Sequence, residues 1–169
     1  MNIPWLIFSD GESKVKKKLI KDLKEILNKN EIDLDSENNV VVLDNEYDFE
    51  MYLLASGYEE EIKIAFSKLH SDTYLEEEIK KKDGTTRRRI KTTATCDICK
   101  QSIYEDVLRD YSSDDGYRRA LYDCMTSQKA QFGPVIAQAI DESEKDLPPK
   151  VIALFGKISA ILKMEEAEA

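Results

Sequence analysis

The sequence predicts an α/β fold: a small parallel sheet of few strands flanked by helices, with a helical C-terminal half. Three observations carry this. A continuous apolar run at 4–9 stops at Asp10-Gly11, an amphipathic stretch comes next at 13–29, and a β-branched run at 39–43 stops at Asp44. Strand, helix, strand at this spacing is one crossover unit, so the strands are parallel neighbours or near neighbours. Their acid-ended tips then share the carboxyl edge of the sheet, where ligands bind in open α/β folds. Asp10, Glu12 and Asp44 are therefore candidates for one site.

Each element has a local reason. Pro4-Trp5-Leu6-Ile7-Phe8-Ser9 is apolar almost throughout, as a strand in the core of a parallel sheet is. Within 13–29, Val15, Leu19, Leu23, Ile26 and Leu27 recur at helical spacing, and Lys14, Lys17, Lys18, Lys21 and Lys24 take the opposite face. Residues 28–39 form a polar connection to the second strand, Asn39-Val40-Val41-Val42-Leu43. Asn45 is the expected cap of a helix beginning near Glu46, with Asp48 and Glu50 in its first turns, where carboxylates suit the helix dipole. Gly57 closes that helix, and 58–70 forms another with Ile62, Ala65, Phe66 and Leu69 inward. The charged stretch 76–91 reads as a helix end and a turn at Asp83-Gly84. Further helices are expected near 100–110, 117–126, 129–143 and 149–164. Pro148-Pro149 opens the last, which has an apolar face of Val151, Leu154, Phe155, Ile158, Ile161 and Leu162. The expected organisation is an α/β core at 1–70, a charged linker at 71–99 and a helical subdomain at 100–169.

Composition narrows the function. Apolar residues make up 41% of the 169, enough for a core and too many for a disordered chain. A net charge of -9, from 34 acidic against 25 basic residues, argues against holding nucleic acid by bulk electrostatics. It leaves room for an enzyme that meets nucleic acid through metal ions, since carboxylates are the hard oxygen ligands such ions take. No segment approaches the roughly 20 apolar residues of a membrane span, and nothing at the start reads as a signal peptide. Three cysteines fit a reducing cytoplasm without a disulfide framework. The expectation is a cytoplasmic protein with no membrane partner.

Three features can carry chemistry. In Asp10-Gly11-Glu12, two carboxylates one residue apart at a strand end can serve one ion or two adjacent ions, with the glycine letting the backbone turn beneath them. Phosphodiester cleavage needs such a cluster, because bound metal neutralises phosphate charge and activates water. The plainer account is a strand-to-helix turn with Glu12 capping the next helix. Glu50 stands on an otherwise apolar helix start and is otherwise a dipole-favoured acid. Lys129 opens a helix of small and apolar residues, at the end cations favour less, so it is either solvated or faces a phosphate or transition-state charge.

Taken in this order, the three features resemble the C-terminal part of the Toprim nuclease domain in the OLD (overcoming lysogenization defect) family, which includes the nuclease subunit of Gabija-type phage-defence systems. Residues 3–12, Ile-Pro-Trp-Leu-Ile-Phe-Ser-Asp-Gly-Glu, resemble the family's "DxD" strand end, with Glu12 in place of the second Asp. Val40-Val41-Val42-Leu43 with Asp48-Phe49-Glu50-Met51-Tyr52-Leu53 resembles its later strand and "LE" helix start. Gln128-Lys129-Ala130-Gln131-Phe132 resembles the late helix that carries an active-site lysine. The resemblance implies a partial, Toprim-like parallel sheet and a metal-dependent DNA endonuclease using Mg²⁺ or Mn²⁺. Asp10 and Glu12 would be metal ligands, Glu50 a ligand or the orienter of the attacking water, and Lys129 the group that stabilises the phosphorane. A Toprim domain opens with a strand ending in glutamate. No such strand precedes Met1, and no GxxxxGK[ST] ATPase loop occurs in the chain. The resemblance therefore implies the distal part of an antiviral-defence nuclease, completed by an upstream ATPase and Toprim half or a separate partner, homo-oligomeric in the full assembly, and weakly active or inactive alone. The alternative is a non-catalytic interaction module derived from a Toprim domain. A receiver-like phosphoacceptor at Asp10 is a third reading, for which the strands are too few.

Other signals have simpler readings. Lys80, Lys81 and Lys82 with Arg87, Arg88, Arg89 and Lys91 form one basic island in an acidic chain, a solvated hairpin or loop that would grip DNA in a nuclease. Cys96-Asp97-Ile98-Cys99 lacks the second pair a closed zinc site requires, and Cys99 is expected to pack inward from a helix. Tyr104, Tyr111, Tyr117 and Tyr122 read as helix packing, and His70 as a lone imidazole without an acidic partner.

Overall fold

A computed structural model describes residues 4–96, 98–99 and 101–168. Ile3 of the first apolar run and Asp97 of the Cys-x-x-Cys pair lie outside the described residues. Among those described, the order is β1 (Ile7–Ser9), α1 (Ser13–Leu27), β2 (Val40–Val42), α2 (Phe49–Ala55), α3 (Glu59–Leu69), α4 (Tyr74–Lys82), β3 (Thr86–Thr95), β4 (Ser102–Leu108), α5 (Asp114–Ser127), α6 (Lys129–Glu142) and α7 (Pro149–Glu168). The fold is α/β, with one parallel and one antiparallel pair of strands. Two compact units result: the chain up to Tyr58 together with residues from Ile140 onward, and Glu59–Ala139. These limits differ from the expected breaks at 70/71 and 99/100. Among the described residues no helix is long and apolar enough to cross a membrane.

In the first unit β1 pairs in parallel with β2, Ile7 opposite Val40 and Ser9 opposite Val42. The ladder continues at both ends, from Ile7 N–H to the Asn39 carbonyl (2.9 Å) and from Leu43 N–H to the Ser9 carbonyl (3.0 Å). Val40, Val42 and Leu23 form a core with Trp5, Ile7, Leu19, Leu27, Ile32 and Leu34 around it, so the helical stripe of α1 covers one face of the strands. Ile26, expected inward, is 76% exposed. Alternation along β2 sends Val41 to the other face, and α7 lies against this strand. The expected cap of α2 is corrected. Asn45 takes a left-handed φ of 53°, which is not a helix-entry conformation. Asp48 is extended and accepts from Met51 N–H at 2.9 Å, so it is the cap. Gly57, at φ 85°, lies just past the helix end as expected.

The second unit packs α3, α4, α5 and α6 around Ile62, Phe66, Leu121, Met125 and Phe132, with the Phe66 and Phe132 rings edge to face at 4.6 Å. Leu69, expected inward, is exposed. The turn at Asp83-Gly84 is present, with Gly84 at φ 70°, but it leads into a strand rather than a linker. The expected helix near 100–110 is also a strand. β4 pairs antiparallel with β3, Arg87 opposite Val107 and Arg89 opposite Glu105, so Tyr104 projects from a hairpin and does no helix packing. Isolated strands need a pairing partner, and here each supplies the other's backbone hydrogen bonds.

Candidate functional site

The corner after β1 is set by Gly11. A β-carbon there would lie 2.5 Å from the Leu43 carbonyl oxygen, 2.6 Å from that of Asn45 and 2.8 Å from that of Asp44, so only glycine fits. Its N–H donates to the Tyr47 carbonyl at 2.8 Å, and Phe8 meets Phe49 edge to face at 5.9 Å. The end of β1 is thereby tied to the segment that opens α2. Asp10, half-buried, and Glu12, exposed, flank Gly11, while Glu50 sits half-buried in the first turn of α2.

Glu12 occupies the cap position of α1 without capping it through its side chain. That work falls to Glu46, which accepts from Ser13 N–H at 2.8 Å and from the Ser13 hydroxyl. Those two bonds, the hydroxyl first, hold the Glu46 carboxyl below its ordinary range. Glu12 is therefore not consumed by the cap, contrary to its plainer account. Asp44, at the end of β2, is paired with Lys150 of α7 at 2.9 Å. Beside it opens a cleft of about 290 Å³ walled by Ile20, Leu34 and Leu43 and rimmed by Lys16, Asp33 and Asp35.

Among the described residues no three Asp, Glu, His or Cys side chains are gathered closely enough to hold a metal ion. Asp10, Glu12 and Glu50 thus share a corner of the backbone without forming a ready-made cage of three carboxylates. The donor chemistry still fits magnesium, which takes one or two carboxylates and completes its shell with water and substrate phosphate.

Lys129 is exposed at the first turn of α6, in the second unit. The basic island lies there too, and much of its charge is met nearby. Lys81 and Lys82 reach Glu78 at 3.3 and 2.6 Å, Arg87 reaches Asp123 at 2.9 Å, and Arg89 reaches Glu105 at 2.7 Å. Arg88 stacks over the Tyr104 ring at 4.4 Å, and Lys80 sits on the last turn of α4. Asp123 also accepts from the buried Tyr111 hydroxyl at 2.8 Å; burial first, and this bond second, push the phenol up to about 12. His70 stacks on Tyr74 at 4.0 Å.

Cys99 is not where the sequence suggests. Cys99 is exposed in the turn between β3 and β4, not inward on a helix, and Cys96 is half-buried beside it. The Cys96 sulfur receives the N–H groups of Cys99 and Ile98 and then the Cys99 side chain, which together lower its pKa. Cys124 is buried in α5, and that burial raises its thiol to about 11.

Compared with known proteins, the chain gives no match: no family model, no curated protein and no solved structure aligns with it. Sequence reasoning missed the roles of Glu46 and Lys150, whose partners Ser13 and Asp44 lie far away in the chain. No local pattern signals either contact.

Proposed function

We propose that this chain supplies the carboxylate corner of a metal-dependent DNA endonuclease of the Toprim, OLD-family kind, acting within an ATPase-coupled phage-defence assembly. The observation that carries the reading is Gly11 wedged beneath the carbonyls of Leu43, Asp44 and Asn45, which sets Asp10 and Glu12 at the carboxyl edge of a parallel pair. A close backbone approach that admits no β-carbon holds this turn more firmly than an ordinary acidic loop needs. Asp10 and Glu12 are the proposed ligands of Mg²⁺ or Mn²⁺, and Glu50 a third ligand or the group that orients water. The chemistry such an ion supplies when bound is neutralisation of phosphate charge and activation of water. Lys129 and the basic island of Lys80, Lys81, Lys82, Arg87, Arg88 and Arg89 are separate candidates for phosphate contact, each to be tested by its own variant.

The test is nicking of supercoiled plasmid by the purified chain in Mg²⁺ or Mn²⁺, beside Asp10→Ala. The expected result is metal-dependent nicking that falls at least about 100-fold in the variant, the order of loss seen when one group stabilising transition-state charge is removed. Equal residual nicking by both proteins sinks the enzyme reading for the isolated chain. That result would favour a non-catalytic interaction module, which the exposed Ile152, Phe155 and Leu162 of α7 also support.

A further inference from the structure

The tip of the β3–β4 hairpin has the form of half a zinc site. Cys96 N–H donates to the Gln101 carbonyl at 2.8 Å, closing the loop just beyond the Thr95 and Ser102 pair. Within that loop the N–H groups of Ile98 and Cys99 point at the Cys96 sulfur, and the Cys99 side chain meets it. Backbone amides turned onto the first sulfur of a Cys-x-x-Cys at a hairpin turn place two sulfur donors at one exposed tip. Soft thiolates select zinc over the hard ions discussed above.

Zinc takes four ligands, and this loop offers two. The chain has one other cysteine and one histidine. Cys124 is buried in the α5 core and the His70 ring is stacked on Tyr74. Among the described residues no third Cys, His, Asp or Glu joins the pair. Another molecule can supply the remaining ligands, and a second copy of this chain brings an identical pair. A two-fold axis through the tip then makes four thiolates from two equivalent halves, with no new residue type required. Ile98, at the tip, is 94% exposed and would be covered by its symmetry mate.

We infer that Cys96 and Cys99 of two chains together bind one zinc ion, joining the hairpin tips in a symmetric dimer. Each thiol releases its proton as the ion binds, so no oxidant or reductant takes part. Measurement of bound zinc and of mass by light scattering, on tag-free full-length chain under reducing conditions, tests the inference. One zinc per two chains is expected, with a doubled mass. Zinc and dimer should both be lost to a chelator, in Cys96→Ser and in Cys99→Ser, while circular dichroism stays unchanged. Cobalt in place of zinc should give the sulfur charge-transfer bands of four thiolates. The inference is overturned by one zinc per monomer, by no retained zinc, by a dimer that survives chelation and Cys99→Ser, or by a Cys96–Cys99 disulfide that excludes the metal. None of these outcomes depends on nuclease activity.

Discussion

β1 and β2 pair over three residues each and β2 is buried throughout, whereas β3 and β4 run for ten and seven residues with most described side chains facing solvent. The parallel pair is held by what covers it: Leu23 and its neighbours on one face of β2, Val41 and Leu43 buried on the other. The hairpin is held by its own ladder and by side chains that clamp it, Arg87 to Asp123 and Arg89 to Glu105. Three residues suffice where burial holds the pair, because displacing β2 would pull its valines out of packed surroundings on either face. An exposed ribbon has no such penalty and needs length and charge pairing to keep its register.

The sharpest test of this contrast removes the same side chain from each pair. Leu43, next after β2, is 1% exposed, and Leu108, at the end of β4, is 61% exposed. Leu43→Ala should cost about 2–5 kcal/mol through lost transfer energy and the cavity left behind. Leu108→Ala should stay within about 0.5 kcal/mol. Urea unfolding of the two variants reads both numbers. Similar midpoints would break the comparison.

A middle-sized effect lies where the hairpin meets the helices of its own unit. The Tyr111 hydroxyl and the Arg87 guanidinium both bond Asp123, so the phenol helps to hold the anchor. Tyr111→Phe should cost about 1.5 kcal/mol at neutral pH, the loss of a hydrogen bond to a charged group. The pH dependence has a definite sign. Tyrosine ionises near 10.0 in the unfolded chain and near about 12 in the fold, so the unfolded state releases its proton first. The contribution is intact below pH 10 and is lost as pH rises through about 12. Stability should therefore fall across that window in the native chain and fall less in Tyr111→Phe, measured by thermal melts in alkaline buffer.

The same contrast decides how much of the fold is legible in the sequence. β1, α1 and β2 can be read because burial writes itself as local pattern: an apolar run, a stripe at helical spacing, three valines in a row. The helices α3, α5, α6 and α7 are readable for the same reason, though Ile26, Leu69 and Phe155 show that an apolar stripe is wider than the face it buries. The hairpin is not readable. Ser102-Ile-Tyr-Glu-Asp-Val-Leu108 has neither face in a core, so no alternation marks it as a strand, and its partner lies across the Cys96–Cys99 turn. The site divides along the same line. Asp10-Gly11-Glu12 is visible as a motif, but the reason Gly11 is glycine lies in three carbonyls more than thirty residues away. Asn45 reads as a cap because its residue type suits that place, while its left-handed backbone and the side chain of Asp48 decide otherwise.

The smallest effect is the most direct probe of how the exposed ribbon keeps its register. Arg89 and Glu105 are opposite one another across β3 and β4 and join at 2.7 Å, with side chains 54% and 32% exposed. At that exposure solvent screens the pair, and the coupling measured by a double-mutant cycle of Arg89→Ala and Glu105→Ala should be about 0.2–1 kcal/mol. It should shrink further in high salt, since the pair lies in reach of counterions. A coupling above that range that ignores salt would mean the hairpin's charges sit as sheltered as the valines of β2. Register in both pairs would then come from burial, and the distinction between a strand pair held by its cover and one held by its clamps would fail at the point where it is easiest to measure.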